Sequence, residues 1–114
     1  MKKALVGLML AGTLVLTAAP AQAVEIIDRD TGYGYAEVSG WSRGYGTVAI
    51  MARYNGHAEV FFRARCSNGQ HFSQTWTDGG PMFRFTLNVP RNARCKYLGQ
   101  IDTNGFVALI LGAF

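Results

Sequence analysis

RARCSNGQHFSQTW, residues 63–76, holds the chemistry this chain most readily offers. Cys66 stands five residues before His71, and the chain has one further cysteine, Cys95, and one further histidine, His57. Two thiols and two imidazoles could close a four-coordinate zinc site, pair a nucleophile with a base, or leave the cysteines to bond to each other. Zinc would need all four to converge. The pairing derived below puts His57 on the opposite face of its strand from Cys66 and at its far end, and the spacing lacks the paired short spacers of structural zinc sites. A catalytic thiolate needs a base oriented by a third group, which the sequence does not place. The disulfide is therefore the expectation, with no metal and no cofactor. It would close a loop of about 30 residues, worth about 3.5 kcal/mol of chain entropy.

A disulfide presupposes an oxidising compartment, and the start of the chain supplies a route to one. MKK, the apolar ALVGLMLAGTLVL, and the small residues Ala21 and Ala23 at the −3 and −1 positions form a secretory signal, 1–23, with cleavage after Ala23. Leu5 to Leu16 is too short to cross about 30 Å of hydrocarbon, so no membrane span is expected after cleavage. Val24, rather than a cysteine, follows the cleavage site, so a lipid anchor is not indicated and the protein is expected to be secreted, either extracellular or periplasmic. Removing 23 of 114 residues leaves about 91, a single domain over 24–114. Loss of Lys2 and Lys3 takes the formal net charge from +4 to +2. No basic run marks nucleic-acid binding, so nucleic acid is not an expected partner.

Gly, Asn and Asp punctuate this domain every eight to twelve residues, between segments rich in Val, Ile, Phe, Tyr and Thr. That pattern predicts an all-β fold, a small antiparallel β-sandwich of seven or eight strands stapled by one disulfide. Strands are expected over Val24–Asp28, Tyr35–Trp41, Thr47–Tyr54, His57–Cys66, His71–Thr77, Met82–Val89, Arg94–Ile101 and Phe106–Gly112. Asn55-Gly56 and Asn68-Gly69 each read as a two-residue hairpin turn, because a type I′ turn needs positive φ at both central residues. Counting outward from those turns sets Ile50 opposite Phe61, Phe61 opposite Trp76, and Cys66 opposite His71. The result is a row of Ile50, Phe61 and Trp76 with Arg63, Arg65 and Gln74 beside it. It is either core or an outward docking surface, since aromatics and Arg are what interfaces enrich. FVALILGAF, residues 106–114, is apolar on both faces of a strand and fits a central strand or an edge that forms a homodimer.

Catalysis is not expected. The seven carboxylates are scattered, and Asp28, Asp30, Asp78 and Asp102 sit in or beside turn signals. There is no Gly-x-Ser-x-Gly elbow, and Ser73, His71 and Asp78 lie too close together on one hairpin for a triad. GYGYAEVSGWSRGYG, residues 32–46, alternates glycine with Tyr33, Tyr35, Trp41 and Tyr45. Those rings either fill core or lie flat on an edge to stack on sugars or anchor a protein.

The segment from Trp41 to Leu98 resembles the tendamistat-type proteinaceous α-amylase inhibitors, small secreted bacterial β-sandwiches. The likeness lies in the spacing from Cys66 to Cys95, in Gly69-Gln70 soon after the first cysteine, and in NARCKYL around the second. It covers about half of the full 114-residue chain. The family's contiguous Trp-Arg-Tyr triplet appears here spread out as Trp41, Arg43 and Tyr45, and its other disulfide has no counterpart. The resemblance implies α-amylase inhibition. The residues themselves point to a non-catalytic binding protein for an extracellular protein, as an inhibitor or secreted effector, or alternatively for a carbohydrate or cell wall. Mass spectrometry of the secreted protein should find an N-terminus at Val24 and a gain of two hydrogens on reduction. Two alkylatable cysteines in unreduced, metal-free protein would contradict the bridge.

Overall fold

The computed structural model describes residues 25–114, so the expected signal segment lies outside the described residues. Strand makes up 77% of them and helix none, in agreement with the all-β expectation. The strands are β1 (Glu25–Ser42), β2 (Thr47–Tyr54), β3 (Ala58–Cys66), β4 (His71–Asp78), β5 (Met82–Asn88) and β6 (Cys95–Ala113). Six strands form one curled half-barrel where the sequence suggested a sandwich of seven or eight. The difference lies in how segments join. The first two expected strands are halves of β1, which carries bulges between Ile26 and Asp28 and between Tyr33 and Tyr35. The last two are halves of β6. Glycines that read as turns instead bend strands that continue past them; Gly34 at φ 84° is one.

β6 is the axis of the sheet. β1 pairs along one side of it, and β2 and β3 lie end to end along the other, with β5 outside β2 and β4 outside β3. The hairpin expected at Asn55-Gly56 is therefore absent. β2 runs from Val48 opposite Ala113 to Tyr54 opposite Val107, and β3 continues from Ala58 opposite Thr103 to Cys66 opposite Cys95, without a change of register. Parity explains this. A two-residue turn would set even residues of β2 against odd residues of β3, matching Val48 with Arg63. The in-line arrangement keeps Val48, Ile50, Ala52, Tyr54, Ala58, Val60, Phe62 and Ala64 on one buried face.

The turn between β3 and β4 also differs, by one residue. Gly69 N–H donates to Cys66 O and Cys66 N–H to Gln70 O, so three residues, Ser67 to Gly69, make the loop, with Gly69 at φ 91°. The shift places Trp76 opposite Val60 and Phe72 opposite Ala64 instead of Phe61 and Arg65. Both rings thus turn toward the apolar face, and the expected row of Ile50, Phe61 and Trp76 does not form.

The long strands bend midway, and the two halves of the sheet close on each other. Ile50 of one half reaches across to Gly99 and Val38 of the other: a Cβ added at Gly99 would lie 2.5 Å from Ile50 Cδ1. Phe62 of β3 packs its ring 6.3 Å from Phe85 of β5. At the β1 side the fold is laced by carboxylates, with Ser39 N–H donating to Asp28 and Glu37 N–H to Asp30. At the other side, β4 and β5 share no ladder and rings fill the seam: Phe72 lies 5.2 Å and Trp76 4.7 Å from Phe85.

Cys66 and Cys95 are bonded to each other as directly opposed residues of β3 and β6, Cα atoms 4.0 Å apart, so neither is a free thiol or a metal ligand. β6 is hydrogen-bonded along both sides. The C-terminal apolar run is thus a central strand and has no free edge through which a second copy could extend the sheet. Trp76→Ala should lower stability by about 3 kcal/mol, the lower end of the range for aromatic truncation because the ring is only half-buried. Urea unfolding measures this, and a loss below about 1 kcal/mol would contradict the seam.

Candidate binding surface

Because side chains alternate, the half built from β1, β6, β3 and β4 turns one face inward and one to solvent. The outward side chains fall into rows crossing all four strands. At the end far from the bend the row is Trp41, Lys96, Arg65 and His71; the next is Ser39, Leu98, Arg63 and Ser73. Nearer the bend come Glu37, Gln100, Phe61 and Thr75, then Tyr35, Asp102, Glu59 and Thr77. The face is therefore polarised. Cations gather at one end and carboxylates at the other, three row spacings or about 20 Å apart.

The cationic end is rigidly built from below. Tyr97 is fully buried between Lys96 and Leu98, and its hydroxyl shares a 2.6 Å hydrogen bond with Ser42, which pins the end of β1 to β6 and sets Trp41 beside Lys96. The loop ahead of β6 is clamped on both sides. Ser67 N–H donates to Arg94 O and Arg94 N–H to Ser67 Oγ, next to the disulfide. Gly44 N–H donates to Arg91 O, and the Arg91 guanidinium donates to Gly44 O. That clamp holds the Arg94 guanidinium 4.2 Å from the Trp41 ring centroid, with the Lys96 ammonium at 5.3 Å. Such contacts contribute about 0.5–1 kcal/mol at an exposed site. Trp41 remains 49% exposed.

The acidic end is tied by neutral donors. The Tyr35 hydroxyl donates to Glu37 at 2.6 Å and the Gln100 amide at 3.1 Å. These bonds, the Tyr35 one foremost, hold the Glu37 carboxyl below its usual range, and the same contact raises the Tyr35 phenol. Glu59 and Asp102 stand directly opposite each other, an unfavourable pairing on which folding alone does not insist.

Among the residues singled out in the sequence, the fold brings Trp41, Arg63, Arg65, Phe61 and Tyr35 onto this one face. Trp76 lies on the inner side and Ile50 is completely buried. Tyr45 packs partly on the core, with its hydroxyl on Glu25, and Tyr33 projects from the other half of the sheet. Sequence reasoning missed Arg94, Lys96 and His71 as members of the surface. Lys96 and Arg94 meet Trp41 only through the pairing of β1 with β6, which no local signal announces, and His71 joins Arg65 because the Asn68-Gly69 loop is one residue longer than expected. Among the described residues, no three His, Cys, Asp or Glu side chains gather as a metal site. Compared with protein-family models, curated proteins and solved structures, the chain matches none.

The Tyr97 phenol titrates above its ordinary value of 10.0, chiefly through burial. Stability that depends on a raised phenol is full below that value and is lost as pH climbs through the folded one. Tyr97→Phe should cost about 1 kcal/mol at neutral pH, because Ser42 loses its partner, and should flatten the alkaline decline of the wild type. Urea midpoints at neutral and alkaline pH check both, and an unchanged alkaline slope would contradict the assignment.

Proposed function

We propose that this is a secreted, non-catalytic binding protein that docks another protein through the outer face of β1, β6, β3 and β4. The observation that carries this reading is the row of Trp41, Lys96, Arg65 and His71 with the Arg94 guanidinium laid over the indole. A half-exposed Trp among Arg side chains has the make-up of an interface hot spot. A neutral sugar is the weaker fit, because stacking needs a bare ring and Arg94 already lies over this one. The charge gradient adds orientation. A partner with an acidic patch opposite Trp41 and a basic one opposite Glu59 and Asp102 is steered into a single pose, whereas the reversed pose sets like charges together.

The test is binding of the protein to a panel of extracellular proteins, α-amylase among them, and to insoluble polysaccharides including peptidoglycan. Capture of a protein is expected, weakening with salt and reduced more than tenfold by Arg65→Glu with Lys96→Glu. Retention on a glycan that survives charge reversal but is lost in Trp41→Ala would establish the carbohydrate reading instead. Turnover of a glycan or ester in proportion to protein would overturn both.

A further inference from the structure

The second outer face, formed by β1, β6, β2 and β5 beyond the bend, differs in kind from the first. Among the described residues, four of the six exposed large apolar side chains sit on it: Ile26 (44%), Tyr33 (82%), Met82 (55%) and Phe106 (57%). Tyr33 and Phe106 are cross-strand neighbours at the bend. Behind them, Thr31, Ala108, Arg53 and Met82 form one row, and Arg29, Ile110, Met51 and Arg84 form the next. Three arginines thus flank an apolar strip, and no carboxylate stands in any of these rows. The acids nearest in sequence are engaged elsewhere: Asp28 and Asp30 accept from Ser39 and Glu37 N–H, Glu25 from the Tyr45 hydroxyl, and Asp78 from the Tyr54 hydroxyl.

We infer that this face docks peripherally onto an anionic lipid surface. Arginine carries its guanidinium on a long apolar stem, so Arg29, Arg53 and Arg84 can reach phosphates while Phe106, Met82 and Ile110 enter the acyl boundary. Tyr33 presents a ring with a polar tip, the form favoured where lipid meets water. The absence of carboxylates removes the repulsion an anionic surface would otherwise meet. A second copy is a poor occupant, since a two-fold interface sets each patch against itself and would crowd three guanidinium groups against three. The outer side of a curled sheet is convex, and its projecting side chains suit a fluid that closes around them better than a protein that must supply a matching socket for each. The inner faces of the two halves touch, so this face points away from the Trp41 surface, and both can be occupied together.

The test is co-sedimentation of the processed protein with vesicles of phosphatidylglycerol and, separately, of phosphatidylcholine. Binding to the anionic vesicles alone, reduced by raised salt, is expected. At about 1 kcal/mol for each arginine near the surface, Arg53→Gln with Arg84→Gln should weaken it about thirtyfold. Tyr33→Ser with Phe106→Ser should weaken it at unchanged salt dependence, while Trp41→Ala leaves it unaltered. Thermal melts matched to wild type confirm that the exposed variants fold; the comparison of lipid compositions with the unmutated protein stands without them. Failure to bind anionic vesicles overturns the proposal, as does equal binding to both lipids. Loss of a captured protein partner in the Arg53 and Arg84 variant, with vesicles ignored, would make the face a protein interface and overturn it too.

Discussion

A strand whose alternate side chains must all stay dry has to be covered along its whole length, and β6 imposes that constraint on everything else. Cys95, Tyr97, Gly99, Ile101, Val107, Leu109, Leu111 and Ala113 all face inward from it and are buried. No strand of ordinary length can flank nineteen residues, so β2 and β3 align end to end, and β1 stretches to eighteen. Having one long dry face, the sheet then bends and buries that face against itself. Gly99 permits a close approach, since any side chain there would meet Ile50 and Val38.

The positions of the β segments, the absence of helix among the described residues and the partnership of the cysteines were all readable from composition and spacing. How the segments join was not, because local turn chemistry and long-range burial gave opposite answers. Asn55-Gly56 is a strong hairpin signal, yet the apolar residues from Val48 to Ala64 keep even numbering straight through it, and a reversal there would have buried Arg63. Parity across a turn was the signal that outweighed the turn itself. At Asn68-Gly69 the same accounting chose a three-residue loop, because only that register turns Phe72 and Trp76 inward. The candidate surface was half visible: Trp41, Arg63, Arg65 and Phe61 could be named, but Ile50 belonged to the core. Lys96 and Arg94 become neighbours of Trp41 only through the placement of β6 between β1 and β3, which is a non-local fact.

Bending one sheet creates two outer surfaces that share β1 and β6, and the sequence has made them unlike. On one, charge varies along the strands, from Lys96 and Arg65 to Asp102 and Glu59. On the other, charge has a single sign and most of the remaining side chains are apolar. The disulfide serves the first surface directly, because the Ser67–Arg94 clamp beside it fixes the guanidinium over Trp41. Stapling β3 to β6 therefore both secures the fold and shapes what it presents.

The order of the strands along the chain adds a kinetic consequence. β6 comes after each of the strands that pair with it, and its ladder with β1 joins residues as distant as Glu25 and Ala113. Until β6 has left the ribosome, the hairpin of β3 and β4 is the one ladder between consecutive strands available to form. Closing such long loops is slow, so the chain passes its synthesis largely unfolded. Under the proposed export, that delay would keep the chain threadable through a translocation channel and leave the sheet and its disulfide to assemble together afterwards.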